Sequence, residues 1–183
     1  MRNLDELLDE AKWGKLANDE IAYVVEQIKA TSPGNDDDLY TLIHILGRAG
    51  ATQYKNMIEK FLHYPSNSLI SAIALRTLCT YWGFEEEYLE PMKQFIQGVD
   101  WDTDRDLQMY AIGCAGQYLK DVKDKDLLKL ILDVYQNENE DQFSRETAYE
   151  AIAFATGQTW EDLDQGPKPN PVVLDKAKSL LKD

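Results

Sequence analysis

Apolar residues recur at three- and four-residue steps along nearly the whole chain, and the alternation that marks half-buried strands is almost absent. Leu4, Leu7, Leu8 and Ala11 mark a first helix. Ile21, Val24, Val25 and Ile28 mark a second, begun near Asn18 or Asp19 and stopped by Ser32-Pro33-Gly34. Three helix pairs are predicted to follow: Asp37 to Ala49 with Gln53 to His63, Ser68 to Trp82 with Glu86 to Gln97, and Arg105 to Leu119 with Lys125 to Gln136. A fourth unit opens with Phe143 to Ala155 and continues from Thr159 with Trp160 to Leu163. The prolines of 164–171 break the helix, and Val172 to Leu181 reads as a short closing one.

The first helices of these pairs fall into register. Ala74 to Gly83 superimposes on the stretch starting at Ala111 and on the one starting at Ala148, each 37 residues further on. Thr41 to Gly50 fits the same frame 33 residues upstream of Ala74. A fixed period of this size means stacked helix pairs, none able to bury its apolar face alone. Seven residues before each common alanine stand Asn67, Asp104 and Asp141, all suited to cap a helix N-terminus. The pattern predicts an all-α α-solenoid of stacked antiparallel helix pairs in one domain. Residues 1–32 would form capping helices, 33–163 the repeats, and 164–183 a proline-rich turn and a C-terminal capping helix.

Charge changes the picture of what such a stack could bind. With 33 acidic and 19 basic side chains the formal net charge is −14. That field repels phosphate backbones and anionic membranes and attracts basic partners, so neither nucleic acid nor membrane is an expected partner. The N-terminal segment is acidic and amphipathic without a signal-like apolar core, and no run approaches a membrane span, which predicts a cytoplasmic protein. Cys79 and Cys114 stand alone inside small-residue helices and read as core filler.

A capped helix rich in Ala and Leu, a Gly-containing turn, a Leu/Ile-rich second helix and an Asp-rich loop recur from Asp36 to Leu163. This arrangement resembles HEAT-like repeats of the compact variety. The tetratricopeptide Trp, Leu-Gly and Tyr pattern and the ankyrin Thr-Pro-Leu-His are both missing. Small acidic HEAT-like proteins look like immunity proteins of bacterial toxin systems, and that resemblance implies an inhibitor of a basic partner such as a nuclease toxin. A non-inhibitory scaffold is the alternative, and an enzyme carried on HEAT-like repeats is the least favoured class.

Candidate chemistry is sparse. His44 lies mid-helix and His63 at a helix end, with no serine or cysteine motif beside either, so both are expected to be structural. Asp100-Trp101-Asp102-Thr103-Asp104-Arg105-Asp106 resembles a calcium loop but places Arg105 and Ala111 where that loop needs glycine and glutamate. No catalytic residue, metal or cofactor is therefore expected. The run Asn137 to Asp141 stands 37 residues after Asp100 to Asp104, so acidic loops at equivalent positions would lie side by side as an acidic ridge. Tyr81 and Tyr118 occupy equivalent helix ends, and Trp101 sits among aspartates. Aromatic rings beside carboxylates suit the docking of lysine and arginine. The expected partner-binding residues are thus Asp100, Trp101, Asp102, Asp104, Tyr81, Tyr118, Glu138 and Glu140, on a protein that has no need to dimerise.

Overall fold

The computed structural model describes residues 3–31, 37–165 and 169–182, and among them every regular element is helical. The expected stop at Ser32-Pro33-Gly34, Asp36 at the start of the repeat resemblance, and Gly166-Pro167-Lys168 of the proline-rich break lie outside the described residues. The chain forms two compact units, residues 1–88 with 101–104, and residues 89–100 with 105–183. No helix of the described residues is long and apolar enough to cross a membrane.

In the first unit α1 (Leu4–Lys12), α2 (Asn18–Ala30) and α5 (Ser68–Arg76) all pack on α3 (Leu39–Arg48). That central position follows from the α3 sequence. Leu39, Leu42, Ile43, Ile45 and Leu46 leave little of its circumference polar, and all five are buried. The predicted helix from Gln53 to His63 is shorter, with α4 (Lys55–Ile58) held between 3₁₀ turns at Thr52–Tyr54 and Glu59–Phe61. The predicted helix to Trp82 changes character after Arg76, where Thr77–Tyr81 forms a π turn closed by the Trp82 N–H bond to Thr77 O at 3.0 Å.

The predicted helix from Glu86 begins instead as a 3₁₀ turn, Glu85–Tyr88, before α6 (Leu89–Gln97). Pro91 is the cause. It has no N–H to offer the Glu87 carbonyl and its ring would clash there, so the regular helix starts where proline falls in its first turn.

The second unit is built around α9 (Gln142–Ala155), which packs on α7 (Asp106–Tyr118), α8 (Lys125–Gln136) and α11 (Pro171–Leu180). The short α10 (Trp160–Gln165) lies between α9 and α11 in sequence. A buried polar relay links three helices of this unit. The Ser144 hydroxyl donates to Gln108 Oε1 at 3.3 Å, and Gln108 Nε2 donates to the Ile96 carbonyl at 3.0 Å. The register alanines Ala74, Ala111 and Ala148 are each completely buried in their own units.

Two of the three expected caps form. Asn67 accepts from the Leu69 N–H and Asp141 from the Ser144 N–H. Asp104 does not cap α7. The residue before that helix is Arg105, the one non-glycine residue with positive φ (62°) among those described, and no side chain caps the helix there.

In the second unit α7 and α9 approach tightly at Gly116, where an added Cβ would lie 2.8 Å from both the Ala151 Cα and its Cβ. Three residues earlier in the same helix, a Cβ on Gly113 would meet nothing within 4 Å. Gly116→Ala is therefore expected to destabilise by about 1–3 kcal/mol through overpacking against backbone. Gly113→Ala is expected to stabilise by about 0.5–1 kcal/mol, as alanine does at an open helical position. Urea unfolding of the two variants measures both, and effects of the same sign would contradict the α7–α9 contact.

Candidate functional site

The side chains expected to form an acidic ridge differ in their surroundings. Asp100, Asp104 and Glu138 are exposed. Asp102 is 3% exposed and has partners of its own, so it presents no carboxylate to another molecule. Trp101 does not stand free in its loop; it is half-buried and meets the His63 ring edge-on at 5.3 Å. His63 is exposed and lies beyond the last 3₁₀ turn of its segment rather than on a helix end. Tyr118 closes α7 and is half-buried.

Within the second unit the loop at 98–100 and the loop at 137–141 do come together, but a cation joins them. The left-handed backbone of Arg105 carries its guanidinium over Gly98, where an added Cβ would meet Nη1 at 2.9 Å. Its Nε stands 3.7 Å from Glu140 Oε1, and the Glu140 side chain is 11% exposed. Burial works against ionisation of the neighbouring Asp141, yet hydrogen bonds from the Ser144 side chain and from the Ser144 and Phe143 amides, with Arg105 nearby, hold its carboxyl below the usual range. Glu140 and Asp141 are thus committed within the fold, and Asp100 and Glu138 remain the exposed acids of these loops.

A more organised constellation lies in the first unit. Tyr40, His44 and Arg48 follow one another at four-residue steps on α3 and so share one face. The π turn brings Tyr81 to that face. Its bonds run from i to i+5, so residues five apart stand nearly above one another, whereas five residues at about 3.6 per turn would place them on different sides of an α-helix. Tyr81 accordingly lies over Arg76, with the guanidinium carbon 5.4 Å from the ring centre. Gly47 lets the turn descend, because a Cβ there would lie 2.6 Å from Tyr81 Cδ2 and 2.7 Å from Thr77 Oγ1.

The rings of His44 and Tyr81 are stacked, 5.6 Å apart at 4°, and Tyr40 meets His44 edge-on at 6.0 Å. Arg48 Nε donates to His44 Nε2 at 3.3 Å, and its guanidinium sits 4.5 Å over Tyr81. Because arginine cannot accept, Nε2 must carry the lone pair. The Tyr81 hydroxyl, 3.1 Å away, is then the second donor to the same nitrogen, and His44 is neutral with its proton on Nδ1.

Burial, followed by the charges of Arg48, Arg76 and Lys12, lowers the His44 pKa from 6.5 to about 4. An imidazole whose acceptor nitrogen is shared by two donors is not placed to act as a general base at neutral pH. What the arrangement offers is oriented positive charge beside a tyrosine.

Sequence reasoning passed over this cluster. The Tyr40, His44, Arg48 step was legible on α3, but nothing local in Thr77 to Tyr81 announces a π turn. Thr77 Oγ1 and Trp82 Nε1, in and beside that turn, are buried without a hydrogen-bond partner. Local structure that breaks the helical rule and leaves buried polar atoms unsatisfied concentrates at functional positions.

His44 is expected to titrate near pH 4, and heteronuclear NMR of its ring nitrogens should show the Nδ1–H tautomer at pH 6. An unfolded chain holds this group at about 6.5. Its contribution to stability is therefore complete above about pH 6.5 and is lost as pH falls toward 4. His44→Gln should flatten that part of the stability profile, and a ring that protonates near 6.5 would contradict the geometry. No family model matches the chain, and comparison with curated proteins and with solved structures finds no match to it either.

Proposed function

We propose that this chain is a protein-binding module of HEAT-like helix pairs whose acidic surface covers a basic protein partner. Its finer form is an inhibitor of the immunity type, acting in the cytoplasm on a basic enzyme such as a nuclease toxin. The observation that carries the reading is electrostatic. Each unit holds more acidic than basic side chains, and Asp100, Asp104 and Glu138 keep their carboxylates at the surface. An acidic surface accelerates encounter with a basic partner and suppresses anionic competitors.

Packing gives secondary support. Consecutive first helices meet within each unit, α3 on α5 and α7 on α9, as repeats that share a core must do. The chemistry present favours binding over catalysis, since His44 Nε2 is committed to two donors and both cysteines are buried. Asp102 and Glu140 drop out of the docking surface proposed here because one is buried and the other is held by Arg105.

Affinity capture with the tagged full chain, at low and then physiological salt, tests the reading. The expected result is one dominant basic protein that survives physiological salt and loses its activity in the complex. The double variant Asp100→Lys, Glu138→Lys should then slow association by roughly tenfold at low salt, an effect that shrinks as salt rises. Unchanged association would remove the acidic surface from the proposal. Retained partner activity would leave a scaffold, and many weak partners lost together with salt would make the charge solubilising only.

A further inference from the structure

In a chain with 33 acidic and 19 basic side chains, two arginines meet one tyrosine ring beside a neutral histidine. Arg48 is exposed at the end of α3, Arg76 closes α5, and Lys12 closes α1, which packs on α3. All three are near enough to His44 to act on it electrostatically. Among the described residues neither Arg48 nor Lys12 forms an ion pair with a carboxylate. Grouping like charges costs free energy that a counter-charge would recover.

The Arg48 side chain is held ready for such a counter-charge. Its Nε–H donates to His44 Nε2 and its guanidinium carbon lies 4.5 Å from the Tyr81 ring centre, so two independent contacts bear on its orientation. The hydrogen bond uses only Nε. The Nη groups make no hydrogen bond to any described residue and belong to an exposed side chain. An arginine fork fixed in this way loses little entropy when it takes an anion, and its spacing matches two oxygens of a carboxylate or phosphate.

We propose that the α3 face carrying Arg48, with Tyr81 of the π turn against it, is an oxyanion-binding site that accepts a carboxylate or a phosphoryl group in the Arg48 fork. His44 is the positioning residue. As a neutral acceptor it aims Arg48 without adding a proton of its own to the cluster. Arg76 adds positive potential through its place over Tyr81 and is not required to have a free donor. The inference stands apart from the acidic-surface reading, because it uses other residues and the opposite sign of charge.

The test is an NMR titration of the 15N-labelled full chain at pH 7 and constant ionic strength, with sodium phosphate, sodium acetate and sodium chloride in separate arms. Saturable shifts of the Arg48 Nε–H and of the His44 ring, absent with chloride, are expected. Arg48→Gln should weaken the binding by roughly tenfold or more, as loss of a charge-assisted bond does. Lys12→Gln, at an exposed position whose charge acts only at longer range, should weaken it less.

His44→Leu should weaken binding, and His44→Gln, which restores an acceptor for Arg48, should recover part of it. Saturation by phosphate alone would identify a phosphoryl ligand. Saturation by acetate, alone or as well as phosphate, would point to an acidic side chain or chain terminus. Linear shifts matching chloride in both arms, or Arg48→Gln binding as the unaltered protein does, would overturn the proposal.

Discussion

Neighbouring segments in each unit of this chain pack tightly where a side chain has been reduced to hydrogen. Gly47 and Gly116 are the two cases inside helices, and at each an added carbon would lie well inside contact distance of the neighbouring segment. The consequences differ. At Gly116 the neighbour is the Ala151 backbone, and the contact only sets how α9 lies on α7. At Gly47 the neighbours are Thr77 and Tyr81, so the same device seats the π turn that supplies an aromatic ring to His44 and Arg48. Remove the space at Gly47 and the Tyr81 ring must move, taking with it one of the two contacts that orient Arg48.

The π turn connects helix geometry to electrostatics. A continuous α-helix through Thr77–Tyr81 would carry Tyr81 round to another face, away from Arg76 and from α3. The widened turn instead places one tyrosine against two guanidiniums and an imidazole at once. Its cost is visible in Thr77 Oγ1 and Trp82 Nε1, left without partners in the interior at a penalty of about 1–3 kcal/mol each.

How legible each element was follows from what encodes it. Helices with a long apolar stripe and a side-chain cap, such as α8 and α9, were readable almost to the residue, because cap and period are both local. The segment from Gln53 to His63 was read as one helix from its apolar spacing, yet Thr52 to Phe61 breaks into 3₁₀ and α turns. The α7 cap failed for a similar reason. Asp104 is the right residue type at the right spacing, but the chain turns through a left-handed Arg105 tied to Glu140, a partner that lies far along the sequence. The acidic loops could be read as charge. Which of their carboxylates face water could not, because burial of Asp102 and pairing of Glu140 are tertiary facts.

Two electrostatic ranges operate in this protein and they oppose each other. The net charge of −14 acts over about a Debye length, roughly 8 Å at physiological salt, and disfavours the approach of any anion from a distance. The fork of Arg48 acts within hydrogen-bond reach, where geometry and desolvation outweigh the mean field. An anion free in solution therefore meets a barrier before it meets the site. An oxyanion carried on a basic partner meets none, because the partner's own charge is drawn in first and delivers the anion at short range.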